Sequence, residues 1–450
     1  MAGMTELQRL FAWPVAGCKY AVGKWLGYRR SRQLAAAART PVLRREAVRE
    51  LATAWDEAAA NFRVSTWKRF RLQMEAGVSL GEPVYTRNTV GSGESEELRL
   101  SVEDRARVEQ IRAETYIRNR NNLTRTEAYR KLYIRRPELH WALLAHMVSR
   151  NAGWNMTDLK GEWLPRLIRM ERLETIFQFL ERSNAYIFYD AYPQLRLYER
   201  SLTEGRSMFH LLPAFGVSRF MGPVWERFWL DRDPVPLTIA LIVNEQHYIE
   251  ERVVRKRYYG QNVLHTGLAE IQKLLQLNAV MFPYGGGEKL QLAGLIMESF
   301  GNLEERIEFG KKLYTLLFGV PDVFEGTLAF VKTKRHTGSR ADYAPELFRA
   351  GLAAADGEAP YRDRLAGGRL RPGAERISSP VLEDAWDDIR LPLPEAGDWF
   401  KETAEVVRYF RALTMPHVFE MSWEYRLLLN KIELAVTAGE RAGKLVGRGG

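Results

Sequence analysis

An all-α fold is the expectation, and three observations carry it. Apolar residues recur at three- and four-residue spacing along most of the chain, as in helices that bury one face. Capping residues punctuate these stretches, Ser101 with Asp104 and Asp233 before Pro234 among them. No series of short alternating segments joined by hairpin turns occurs, and a β-sandwich or barrel needs one. The expected architecture is a large, multi-helix, bundle-like core with a basic N-terminal helical arm and a smaller C-terminal helical element.

The elements follow in order. Residues 42–60 place Val42, Leu43, Val48, Leu51, Ala52 and Trp55 near one helical face. The polar TRNTVGSGESEEL (86–98) reads as a loop. Helix starts are expected at Ser101 and at Thr124, where Glu127 completes the capping pattern, and Pro137 suits the first turn of the next helix. Pro165 opens an amphipathic stretch bearing Leu167, Met170, Leu173, Ile176, Phe177 and Leu180. Asp233-Pro234 opens a helix whose Leu237–Val243 segment is apolar on all sides, as in a buried helix. Residues 289–300 and 302–319 read as two more helices, with Gly301 and Gly319 as stops. Organised this way, the chain comprises an arm (1–76), a loop (77–100), a helical core (101–340), a Gly/Ala/Arg/Pro-rich linker or strap (341–398) and C-terminal helices (399–445).

Hydrophobic residues at 46% and charged residues at 27% are the balance of a globular protein large enough to bury its own core. The single cysteine, Cys18, excludes an intrachain disulfide and fits a reducing, cytoplasmic setting. The charge of +10 is unevenly spread. Residues 1–50 hold ten Lys or Arg against three Glu, a balance of +7, which leaves +3 for the rest. A field confined to one segment points to a local anionic partner. No stretch approaches the roughly 18 uncharged apolar residues of a membrane span. The best stretch, 10–28, is broken by Pro14, Lys19 and Lys24. Val15-Ala16-Gly17-Cys18 resembles a lipobox, but the apolar run before it is short and Glu6 sits in what would be a positive leader, so lipidation is not expected. The contact residues expected for a membrane surface or a partner are Trp13, Lys19, Lys24, Trp25, Arg29, Arg30 and Arg32.

Two stretches concentrate groups capable of chemistry. In HWALLAHMVSRNAGWNMTDLKG (140–161), His140 and His146 lie about 120° apart around a helix and cannot ligate one ion from one turn. The segment then breaks into residues that suit a C-cap at Asn151 and Gly153 and an N-cap at Asn155 or Thr157. Arg150, Asn151, Asn155 and Asp158 exceed what caps need, and Arg150 with Asp158 would form an ion pair or an anion grip. In NEQHYIEER (244–252), Asn244, His247 and Glu251 share one face. His247 and Glu250 reverse the order of a carboxylate-bundle metal motif, and no second copy exists, so neither metal nor cofactor is expected. No GxSxG, Walker A, GxGxxG or HExxH pattern is present. The glycines at 285–287 read as a turn, and the basic-aromatic WKRFR (67–71) and RKRYYG (255–260) as solvated helix faces.

The stretch NRNNLTRTEAYRKLYIRRPELHWALLAHMVSRNAGWNMTDLKG (118–161), with NEQHYIEERV (244–253) and TGSRADYAPELF (337–348), resembles the YppC-like family of uncharacterised Firmicutes proteins. The resemblance implies a mostly helical unit and transfers no catalytic residue and no substrate.

Three functional readings stand at this point. The first is a non-catalytic cytoplasmic protein whose basic arm binds a protein partner or the anionic membrane face. A second is an enzyme, hydrolytic for instance, with a pocket formed by 140–158 and 244–251. It would draw on His140, His146, Arg150, Asn151, Asn155, Asp158, Asn244, His247 and Glu251, and it requires the two segments to meet. The third is nucleic-acid binding by the arm, marked by steep salt dependence.

Overall fold

A computed structural model describes residues 6–75, 100–256, 279–285, 291–352 and 361–446, with backbone alone for 6–20, 61–75 and 440–446. It is mostly helical. In chain order the helices that build the body are α1 (Glu6–Ala35), α2 (Arg45–Glu75), α3 (Val102–Arg118), α4 (Asn122–Arg135), α5 (His140–Asp158), α6 (Met170–Glu204), α7 (Met221–Asp231) and α8 (Pro234–Ile249). A two-stranded antiparallel sheet follows, β1 (Ala279–Tyr284) against β2 (Gln291–Ile296), with Ala279 opposite Ile296 and Tyr284 opposite Gln291. Then come α9 (Leu303–Gly319) and α10 (Pro321–Thr333), bent 90° from one another. The remainder holds two-residue strands β3 (Phe348–Arg349), β4 (Leu365–Ala366), β5 (Arg369–Leu370) and β6 (Ile377–Ser378), and helices α11 (Leu382–Ala385), α12 (Thr403–Val407) and α13 (Ser422–Val446).

The chain's own caps set several of these boundaries. Ser101 Oγ accepts from Asp104 N at 3.0 Å and starts α3. At α4 the cap is Asn121, three residues earlier than the Thr124 expected: Asn121 Oδ1 accepts from Thr124 N while Thr124 Oγ1 accepts from Asn121 N, a reciprocal capping box. Asp233 accepts from Val235 N and starts α8 with Pro234 in its first turn. Gly205, at φ 69°, ends α6 in the left-handed conformation that a glycine adopts without steric cost. Pro137 sits in the turn before α5 rather than in its first turn.

α5 lies at the centre, packed on α4, α6, α8, α9 and β1. It does not break at Asn151–Gly153; it runs to Asp158. Glycine stands at 153 because a Cβ there would lie 2.6 Å from Asn122 Oδ1 and 2.7 Å from the His336 ring. Asn151 and Thr157, expected as caps, instead bond tertiary partners, the Met281 backbone and Gly338 O. Residues 289–300 differ more: the apolar run Leu292–Leu295 is the inner strand β2, not a helix. Gly294 fits there because a Cβ would meet Val280 O at 2.2 Å. The segment 419–421 extends this sheet, with Gly294 N donating to Phe419 O and Met421 N to Leu292 O, both at 2.7 Å.

One contiguous core runs from Leu34 to Val436, so the C-terminal helices are built into the body. Trp386 and Trp399, from the segment after the short strands, pack on this core. Trp386 stacks on Phe177 at 4.1 Å and donates its indole N–H to Met156 O, and Trp399 stacks on His247 at 4.2 Å. The loop expected at 77–100 falls outside the described residues except at Leu100. No single helix among the described residues is long and apolar enough to cross a membrane.

Candidate functional site

The two polar segments meet. α5 and α8 pack on one another, and the Trp141 indole N–H donates to Glu245 Oε2 at 3.1 Å across their contact. Beside that contact lies a cavity of about 410 Å³ walled by α4, α5, α6, α8, β1 and α9, within the roughly 300–1,000 Å³ range of small-molecule sites.

Of the nine expected pocket residues, Asn151 and Asn155 line this cavity. Asn151 is also a clamp: its amide donates to Met281 O at 3.1 Å and accepts from Met281 N at 3.0 Å, which fixes β1 against α5. The others face elsewhere. His140 stacks on Phe318 at 4.0 Å with Nδ1 3.1 Å from Tyr314 Oη, and burial pushes it down to about 4. His146 donates Nδ1–H to Thr126 O at 2.8 Å; burial and then Arg150 push it well below the usual histidine range. His247, stacked on Trp399, is pushed down by burial to about 4. These three imidazoles are neutral at pH 7.

Arg150 and Asp158 do not pair with each other. Arg150, fully buried, donates to Lys334 O (2.7 Å) and Arg335 O (3.1 Å), lies 3.6 Å from Asp342, and packs over Phe330. Asp158 accepts from Arg340 Nε at 2.5 Å. Burial opposes the Arg340 charge, but the Asp158 carboxylate and Tyr425 outweigh it and hold the guanidinium above its ordinary value. Asn244 bridges Asp190 Oδ2 (2.5 Å) and the Trp399 indole (3.0 Å), and Glu251 is exposed.

The α8 residues that reach the cavity are Glu245, Gln246 and Ile249, offset from the expected Asn244 and His247. Burial pushes Glu245 up to about 8; its bonds from Gln246 and Trp141 oppose the shift and Asp190 adds to it. Asp190, one layer behind, is pushed up to about 7, again by burial first, while Arg252 opposes. Gln194 and Asn244 share its Oδ2, and Oδ1 has no partner. Along the wall, Gln246 Oε1 accepts from Arg306 Nε at 2.9 Å, and Arg306 also bonds Phe300 O (2.6 Å) and Glu250. Tyr129 lines the cavity with its hydroxyl unpartnered. One sequence signal pointed to Glu245: a carboxylate at the end of the apolar Leu237–Val243 run. Among the described residues no group of three His, Cys, Asp or Glu is placed to hold a metal.

A second feature is the outer face of α1. Gly23, Gly27, Ser31 and Leu34 are buried against the C-terminal segment. Ser31 Oγ accepts from Phe419 N and Glu420 N, and Lys24 pairs with Glu424. On the opposite side Trp25 is 54% exposed, with Arg29 over its ring at 4.8 Å and Arg32 over Tyr28 at 6.0 Å. None of Arg29, Arg30 and Arg32 makes an ion pair among the described residues. The side chains of Trp13, Cys18 and Lys19 lie outside the described residues.

These features define a mostly helical protein with an internal cavity and a cationic, aromatic outer helix face. The sequence profile of a family described as protein of unknown function (DUF2515) matches residues 117–427. The uncharacterized protein YppC of Bacillus subtilis (strain 168) is 43% identical over 232 residues, covering 52% of this chain and 71% of that protein. The chain therefore belongs to the DUF2515 family, of which YppC is a Firmicutes relative. No solved structure matches it.

Proposed function

We propose that this is a non-catalytic helical protein of the cytoplasm that docks on the anionic face of a membrane through α1. The carrying observation is the face α1 leaves outward, where Trp25, Arg29 and Arg32 form a stripe flanked by Val22 and Tyr28 while the small residues Gly23, Gly27 and Ser31 turn to the body. An interfacial helix combines aromatic groups at headgroup depth with guanidinium groups facing phosphate, and Arg29 and Arg32, which make no ion pair among the described residues, leave their charge for a lipid surface to neutralise. In this reading the basic arm is the contact element, 101–340 the body and 341–398 its strap. The enzymatic alternative needs a reacting group in the cavity, and of the residues expected there only Asn151 and Asn155 line it.

Vesicle flotation tests the reading. The full chain should float with vesicles containing phosphatidylglycerol and stay behind with phosphatidylcholine alone. Arg29→Glu with Arg32→Glu should weaken flotation at least about tenfold, since each basic residue near an anionic surface contributes about 1 kcal/mol. Equal flotation of the two proteins removes α1 from the contact. Retention on double-stranded DNA that falls steeply with salt, with no flotation, moves the reading to nucleic acid.

A further inference from the structure

The cavity between α5 and α8 is built around a carboxyl group that has no cation. Glu245 receives the Trp141 indole at 3.1 Å and the Gln246 amide at 3.2 Å, and no Lys, Arg or His reaches it among the described residues. Among the described residues the guanidinium that lines the cavity is that of Arg306, and each of its three nitrogens is already bonded, to Gln246, Phe300 O and Glu250. A second carboxyl group, Glu298, lines the cavity from the β2–α9 loop and is exposed there, which puts the mouth at that loop. The walls are mostly apolar, with Asn151, Asn155, Ser183 and Asn184 among them, and they include an edge-to-face pair, Tyr129 on Trp141, with centroids 5.3 Å apart at 90°.

From this we infer that the cavity binds a hydrophobic amine, a small apolar body ending in one ammonium group that ion-pairs with Glu245. The ammonium has three donors. Glu245 accepts one, and the Tyr129 and Trp141 rings on the same lining favour a cation through their quadrupoles. Burial of Glu245 agrees with this: a buried carboxyl without a cation is costly to ionise, and a cationic ligand supplies the missing charge. A fatty acid fits poorly. Its carboxylate would sit with Glu245 and Glu298 and find no uncommitted cation among the described residues of the lining. A neutral apolar ligand would leave the Glu245 carboxyl without a new partner. The inference concerns a site remote in role from α1 and stands or falls independently of membrane docking.

Isothermal titration calorimetry of the full chain with phenylbutylamine, phenylbutanol and phenylbutyrate tests it, because the three share one apolar body and differ in head group. The amine should bind at least tenfold more tightly than the alcohol, and the acid least. Glu245→Gln keeps an acceptor for Trp141 and should lose at least tenfold for the amine while leaving the alcohol unchanged. Equal affinities for amine and alcohol in the unmodified protein, tighter binding of the acid, an amine affinity indifferent to Glu245→Gln in a protein whose melting shows it folded, or no binding at millimolar amine would each overturn the assignment.

Discussion

Glu245 shows how one side chain carries two opposed demands. Its place on a buried helix holds the carboxyl up to about 8, against 4.5 for the ordinary group. A group raised on folding contributes stability that is fully present below its unfolded value and lost as pH rises through its folded value. The unmodified protein should therefore lose stability between pH 5 and pH 8, with Asp190, pushed up to about 7, adding to the loss. Glu245→Gln removes one of the two contributions. Its gain in stability over the unmodified protein should grow by about 2 kcal/mol from pH 5 to pH 8, discounted from the full linkage because the carboxyl faces a cavity. Urea denaturation at the two pH values measures this, and a gain equal at both would show that burial does not hold the proton on. His140 and His247 behave differently: burial depresses both to about 4, so they are neutral structural groups at pH 7.

At the scale of elements, α5 is the organising helix, and Gly153 is the position that lets it be one. Helix propensity alone favours replacing a mid-helix glycine by about 1 kcal/mol. Here a side chain would press on Asn122 and His336, which are themselves hydrogen-bonded at 2.8 Å. Overpacking of this kind costs about 1–3 kcal/mol. Gly153→Val, further disfavoured by β-branching, should therefore destabilise the protein by at least about 1 kcal/mol in urea unfolding, whereas a stabilised variant would mean that the contact yields freely. The same glycine explains why sequence reading stopped the helix early. A glycine among Asn, Ser and Thr has the composition of a helix end whether it ends a helix or admits a neighbour, and only the neighbour tells the two apart.

Across the whole molecule, Phe348, Leu365 and Leu382, from the stretch expected to be a linker or strap, share one core with Leu428 and Val436 of α13 and with the helices before them. Trp386 closes on Phe177 with rings 4° from parallel and donates to Met156 O at 2.8 Å. Trp386→Ala should lower the midpoint of a single cooperative thermal transition, by a free energy of about 3 kcal/mol for loss of a packed tryptophan. Calorimetry that resolved two transitions, one unchanged by the substitution, would show the strap to be an appendage.

The chain by itself determined the helical character, because apolar spacing and the caps at Ser101 and Asp233 are local properties. It also determined the segregation of charge toward the N-terminus, and that 140–158 and 244–251 were the polar stretches to compare. Tertiary structure alone decided which of their residues face one another. A buried helix is apolar nearly all round, so its sequence does not say which side meets a neighbour and which meets a cavity; a turn of 100° per residue separates Asn244, bonded to Asp190 and Trp399, from Glu245 at the cavity wall. The strand at Gln291–Ile296 was hidden for the same reason. A short apolar run buried on both faces has no periodicity to display, and its pairing with Ala279–Tyr284 comes from contacts distant in the chain.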